Sequence, residues 1–329
     1  MECSTAEFFM IPFCWFSELF CTITESKIFM VLLAIILAKL VLINLSACYA
    51  ISQNEGPRQM ERALQMDDVS NSHISNYDYG PTHGPHTWQA EPNNQSPINI
   101  DPRCVDRVAF STALIWSHYD DIPVGIHLEN NGRTLLLRAA FNSPTPSISG
   151  GDLLSRFEFR EISFRWSRHN TGGSEHAIDH AHFPLEMQCM HSNYSSDGSS
   201  TSSRVILMLS YIFEVSEENP YLDALVQHLV VVQRAGQCVE VPPFPLGYLM
   251  HAFYTRFYSY HGSLTVPPCH RGVEWFIYPM PIAIGARQLN EFRQLRDHNG
   301  ALIGPNARPV QPLCGRTVKY NTFVARSRR

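Results

Sequence analysis

The sequence predicts one mainly β domain with a few helices, placed behind an N-terminal targeting segment. Three observations predict it. From Tyr77 to about Phe323, short apolar runs alternate with turn-forming residues in one uniform texture. Within it, "EISFRWS" (161–167) sets Ile162, Phe164 and Trp166 against Ser163, Arg165 and Ser167, the period of two expected of a strand. Only two stretches carry helical spacing. At 44% hydrophobic and 17% charged residues, the 329-residue chain is neither disordered nor fibrous and can bury a sizeable core. A net charge of −5 argues against a nucleic-acid binder, which shows a basic excess.

Taken in order, residues 1–50 do not belong to the fold. "IFMVLLAIILAKLVLINL" (28–45) is almost wholly apolar and is followed by the small-residue stretch "SACYA". That order reads as a cleaved secretory signal. The length is also close to a membrane span, so a signal anchor is the alternative, although Lys39 near the middle is costly there. Either places the rest of the chain outside the cytosol, secreted or on the extracellular face of the membrane. Residues 51–75 are polar and read as a linker. The domain spans 76–323, and a basic tail, 324–329, follows.

Inside the domain, "LENNGRTLLLR" (128–138) and "VILMLSYIFEV" (205–215) are strand-like runs, and "SSDGSSTSSR" (195–204) is a polar surface loop. "NPYLDALVQHLV" (219–230) places Leu222, Leu225, Val226 and Leu229 on one helical face, with Asn219 able to cap and Pro220 in the first turn. "ARQLNEFRQLRD" (286–297) does the same with Leu289, Phe292 and Leu295. Of nine cysteines, Cys104, Cys189, Cys238, Cys269 and Cys314 lie in the domain. Five is odd, so at most two disulfides close within it. Asn193-Tyr194-Ser195 is a glycosylation sequon in the polar loop, and Asn94-Gln95-Ser96, followed by Pro97, is a weaker one.

Five stretches in register resemble the α-carbonic anhydrases: "YGPTHGPHTW" (79–88), "QSPINI" (95–100), "SGG" (149–151), "GSEH" (173–176) and "GSLTVPPC" (262–269). The resemblance covers nearly the whole domain, from Tyr79 to "RPVQPL" (308–313). It implies a single domain on a twisted, largely antiparallel central sheet of about ten strands, with a conical pocket descending to the sheet. In that family a His-x-His pair on one strand and a third His on the next converge on zinc, because residues i and i+2 share a face and a neighbouring strand lies about 5 Å away.

Matched segment to segment, the two ligand positions on the first strand are Ser163 and Arg165, and the third is Gln188. Serine and glutamine are poor zinc ligands, and arginine is a fixed cation without a lone pair. The resemblance therefore implies a carbonic anhydrase-related protein with no zinc, no other cofactor and no carbon dioxide hydration. The family's zinc-bound water has an established pKa of about 7, against about 15.7 for free water. Losing the metal makes hydroxide roughly 12 kcal/mol harder to form. The proton-shuttle position is Arg133, which cannot cycle a proton near pH 7.

Other positions match retained pocket residues. Glu175 and Thr265 match the pair that orients the zinc-bound hydroxide, and Glu186 matches the carboxylate behind the third histidine. His176 and His191 match buried histidines, while Tyr79, Val273 and Trp275 match the pocket wall. Gln188 resembles the secreted related proteins, whereas "ARQLNEFRQLRDH" is closer to the cytosolic type. A cysteine before "QSPINI" usually joins the one after the double proline, but the loop 89–94 has none. Cys269 is thus free or paired elsewhere, with Cys104 the nearest candidate.

The resemblance implies a non-catalytic module that binds a protein partner, by analogy a neurexin-like cell-surface protein. Two alternatives come from the residues. "HAIDHAH" (176–182), with His176, Asp179, His180 and His182, joined by His83 and His86, is a tract able to hold a relocated metal. Arg165 offers a small-anion site. In the metal cavity a buried Arg165 requires a carboxylate, and Glu175 or Glu186 is expected to supply it, with Glu161 nearby. The alternative is that Arg165 runs up the cone to solvent.

Overall fold

The structure, a computed structural model, describes Lys39 and residues 77–110, 112–142, 144–193 and 205–323. Apart from Lys39, the targeting segment, linker and basic tail lie outside the described residues, as does the polar loop beyond Asn193. No helix among the described residues is long and apolar enough to cross a membrane.

The alternating runs become strands: β1 (Asn99–Ile100), β2 (Asp106–Phe110), β3 (Leu114–Ser117), β4 (Gly125–Asn130), β5 (Leu135–Ala140), β6 (Ser147–Gly150), β7 (Phe157–Trp166), β8 (Ala177–Ile178), β9 (Leu185–Ser192), β10 (Ile206–Ser216), β11 (Cys238–Val241), β12 (Arg256–Ser263), β13 (Arg271–Ile277), β14 (Ile282–Gly285) and β15 (Lys319–Phe323). Thirteen of them join one sheet, whose main path has the ten strands β11-β4-β5-β7-β9-β10-β13-β12-β15-β2. Most neighbours run antiparallel, as expected, but the sheet is mixed. β13 and β14 both lie parallel to β10, and β2 lies parallel to β15. The physical reason is connectivity: parallel neighbours need a long crossover, and residues 217–270 supply one between β10 and β13.

The β4–β5 hairpin shows how local sequence aims a site residue. Its turn is Asn-Gly, with Gly132 at φ +80°, where a Cβ would sit 2.4 Å from the His298 ring. Asn130 Oδ1 accepts from Gly132 N, and Asn131 Oδ1 accepts from both Arg133 N and Thr134 N. These side-chain turns fix the tip and the direction in which Arg133 leaves it.

The predicted helix at 219–230 is shorter than its pattern. α1 (Pro220–Val226) begins where expected, with Asn219 Oδ1 capping Tyr221 N, but Leu229–Val232 tightens into a 3-10 turn. Three consecutive valines (230–232) explain the break, since β-branched side chains crowd the preceding helical turn. α2 (Ala286–Arg293) buries Leu289 and Phe292, and Leu295 is buried just beyond its end. Gln288 is fully buried between the helices, accepting from Gly285 N and Asn219 N and donating to Asn219 O and Asp223 Oδ1.

β7 carries its two faces to different places. Ile162, Phe164 and Trp166 are fully buried in the larger core, with the Phe164 and Trp166 rings 5.1 and 5.9 Å from Phe292. Ser163 and Arg165 face the other way. A smaller core around Trp275, Val273 and Met208 lies beside the site.

Candidate functional site

Strand register assembles the site. On β7 and β9, Ser163 is paired with Gln188 and Arg165 with Glu186. The segment before β8 brings Glu175 and His176 to the same place, and β12 brings Tyr260. The three positions matched to metal ligands are therefore adjacent, as the i, i+2 and cross-strand argument requires.

Arg165 is only 4% exposed. It does not run up to solvent. Its Nε lies 3.3 Å from Glu175 Oε1, and its Nη1 donates to Phe164 O at 3.2 Å and Thr134 Oγ1 at 3.4 Å. Nε has no well-aligned hydrogen bond, so its attraction to Glu175 is Coulombic. Burial alone would lower the guanidinium pKa, but Glu175, Tyr79, Tyr77 and Glu186 together outweigh it, and Arg165 is held above its ordinary value as a permanent cation.

Gln188 occupies the centre. Its Nε2 donates to Glu175 Oε2 at 2.7 Å and to Glu186 Oε1 at 2.9 Å. One amide thus uses both its protons to hold two buried carboxylates apart. Thr265 Oγ1 donates to Gln188 Oε1 at 3.5 Å. The two positions matched to the hydroxide-orienting pair take separate partners: the threonine turns to the amide, while Glu175 takes Arg165, Gln188 and the main-chain N–H of Arg308.

Glu186 is the most heavily satisfied group. It accepts from Glu175 N, His176 N, His176 Nδ1, Gln188 Nε2 and Ser210 Oγ, all between 2.8 and 2.9 Å. Burial would raise its pKa, but His176 and the converging donors hold it down to about 2. His176 passes the network on through Nε2 to the Tyr260 hydroxyl, which donates to Ser96 Oγ. His191 stands apart, between Tyr119 OH at 2.7 Å and Cys189 O at 3.2 Å, and burial pushes its pKa down to about 3. Val273 and Trp275 line the smaller core.

The N-terminal stretch packs against the tip of the β4–β5 hairpin. Arg133 Nε donates to Tyr77 O at 2.7 Å, and its guanidinium lies 4.3 Å from the Tyr77 ring centroid. Tyr77, Tyr79 and Trp88 pack edge to face at 5.4 to 6.3 Å. Burial raises the Tyr79 phenol pKa against the opposing pull of Arg165. Sequence reasoning missed Tyr77, Thr134 and Arg308. Arg308, within "RPVQPL", is 4% exposed and donates through Nη1 to Gln95 Oε1 and Ser96 O.

The His-rich tract does not form a metal centre. His176 is committed to Glu186 and Tyr260, His180 Nδ1 faces Asn99 Nδ2, His182 Nδ1 meets Ser174 O, and Asp179 pairs with Arg103. His83 lies 3.7 Å from Asp78 and His86 is exposed. Among the described residues, no three His, Cys, Asp or Glu side chains are placed to hold a metal. The Cys104–Cys269 pairing also fails: Cys104 is exposed, Cys269 is buried, and both are free. Cys269 follows the double proline into the sheet-facing loop, where Gln95 Nε2 bonds its carbonyl, while Cys104 bonds Asp101 on the surface.

The residues at the centre do not fit zinc either. A divalent ion would face the fixed charge of Arg165, and Gln188 presents its N–H groups, not its lone pairs, to the two carboxylates. Residues 83–322 match the model of the eukaryotic-type carbonic anhydrase family. A carbonic anhydrase-related protein from Homo sapiens is 31% identical over 244 residues, 68% of this chain and 82% of that protein. Carbonic anhydrase 7 from Homo sapiens is 30% identical over 256 residues, 73% of this chain and 95% of that protein. Carbonic anhydrase 15 from Mus musculus is 32% identical over 239 residues, 68% and 74% of the two chains. The mixed sheet, the site that β7 and β9 build on it and these likenesses agree: the chain belongs to the eukaryotic-type carbonic anhydrase family.

Proposed function

We propose that this chain is an acatalytic member of the family that acts outside the cytosol as a protein-binding module. One observation carries the loss of catalysis: Arg165 lies buried 3.3 Å from Glu175 while Gln188 spans Glu175 and Glu186. The cation offsets a carboxylate and the amide bridges both carboxylates, so these groups hold one another where a zinc ion would need free ligands. The likeness to carbonic anhydrase-related proteins supports the same reading. The binding role and the extracellular setting rest on the family resemblance and on the apolar segment 28–45. The partner proposed is a cell-surface protein of the neurexin kind.

The test is metal analysis of protein purified without added metal, joined to a carbon dioxide hydration assay. The expected result is no stoichiometric zinc and no rate above background. One zinc per chain by mass spectrometry, or hydration abolished by a chelator, overturns the proposal. For the partner, immobilised ectodomain is expected to retain a purified neurexin ectodomain, and absence of binding at micromolar concentration removes that assignment.

A further inference from the structure

We infer that residues Tyr77–Trp88 form a strap over the buried site around Arg165 and Gln188, latched by Arg133, and that releasing the latch opens the buried Arg165–Glu175 pair to solvent. The inference does not depend on the acatalytic or binding reading.

The latch is built from both partners. On one side, the Asn-Asn-Gly turn holds the hairpin tip rigidly, so Arg133 is presented in one direction. On the other, Tyr77 offers its carbonyl to Nε at 2.7 Å and its ring face to the guanidinium at 4.3 Å. The planar guanidinium lies against the ring while its in-plane Nε–H reaches the carbonyl, a geometry that the tetrahedral ammonium of lysine does not reproduce. Asn306 Nδ2 reaches the Arg133 carbonyl at 2.9 Å, fixing the tip from behind.

The strap itself is a self-contained turn. Asp78 N donates to His83 O, Trp88 Nε1 donates to the same carbonyl, and Thr87 N donates to Gly84 O. Gly84 approaches so closely that a Cβ there would lie 2.1 Å from Gly80 O. Its inner side carries Tyr79, whose phenol feels Arg165. Its far end carries Trp88, with the Arg308 guanidinium 5.9 Å from the ring. Beside the latch, between strap residues 78–80, the tip at 132–133 and the loop 297–306, lies a recess of about 340 Å³. The strap is thus backed by open space on one side and not by close-packed core, which lets it swing as a unit once the latch is lost.

The experiment is hydrogen–deuterium exchange on the full-length protein and on the Arg133→Ala, Arg133→Lys and Gly84→Ala variants, with phenylglyoxal labelling of Arg165 read by mass spectrometry. Arg133→Ala is expected to speed exchange in peptides covering 77–88 by about tenfold, the scale of one cation–π contact plus one hydrogen bond. Peptides covering β7 and β9 should keep their protection, and Arg165 should become modifiable. Arg133→Lys keeps the charge and should behave like Arg133→Ala. Gly84→Ala, which spreads the turn without touching Arg133, should also expose Arg165. Unchanged strap exchange in a folded Arg133 variant overturns the inference. So does Arg165 labelling that rises only together with exchange across the whole sheet. If Arg133→Ala does not fold, Arg133→Lys and Gly84→Ala decide by the same criteria.

Discussion

At the scale of single residues, Arg165 and the groups around it behave as one unit. Replacing Arg165 by alanine leaves Glu175 buried with its cation gone. Breaking a buried pair in this way costs about 3–5 kcal/mol. Arg165→Ala is therefore expected to lower the chemical-denaturation midpoint markedly, and an unchanged midpoint shows that Glu175 is satisfied without it. Acid stability follows from two groups held low. His191 has its folded pKa near 3, below the ordinary 6.5, so the unfolded chain binds a proton first as pH falls. Its contribution is complete above pH 6.5 and is lost progressively toward pH 3. Glu186, near 2 against an ordinary 4.5, adds a second loss that begins below about pH 4.5. Both groups therefore make melting temperature fall as pH drops below about 6.5. His191→Gln should remove the upper part of that slope and leave the part below 4.5.

At the scale of elements, the same logic governs how helices and strands are joined. α1 and α2 are short, and Gln288 ties them by four hydrogen bonds to main chain and to Asp223. Gln288→Ala strands buried main-chain groups of both helix starts, each worth about 1–3 kcal/mol. The expected loss is about 2–3 kcal/mol in equilibrium unfolding, with exchange accelerated in both helices. A loss confined to one helix separates a cap from a staple. The pattern of apolar residues found both helices, yet nothing in "NPYLDALVQHLV" marked the valine run as the place where the α-helix ends.

At the scale of the whole molecule, the remaining expectation concerns where the domain resides. Asn193 lies at the end of β9, half-buried, its Oδ1 accepting from Val205 N across the base of the polar loop. Protein made in secretory cells is expected to carry a glycan there and to shift on a gel after glycosidase treatment. Asn193→Gln should abolish the shift. Cytosolic fractionation of the full chain would remove the grounds for both the glycan and an extracellular partner.

The sequence by itself determined the β class, the two helices, the family and the identity of the residues standing at 163, 165 and 188. It could do so because period, turn chemistry and motif order are local properties, written in consecutive residues. The β7 alternation was enough to send Arg165 and Ser163 to one face and Ile162, Phe164 and Trp166 to the other. Tertiary structure alone decided what those residues meet. Nothing near position 165 says that its guanidinium meets Thr134, that Arg133 takes Tyr77, or that the main-chain N–H of Arg308 donates a hydrogen bond to Glu175. It also turned Thr265 to Gln188, kept Cys104 from Cys269 and scattered the histidines of 176–182 among separate partners. Such choices depend on which strands become neighbours and in what register, and register is a long-range property that no single segment carries.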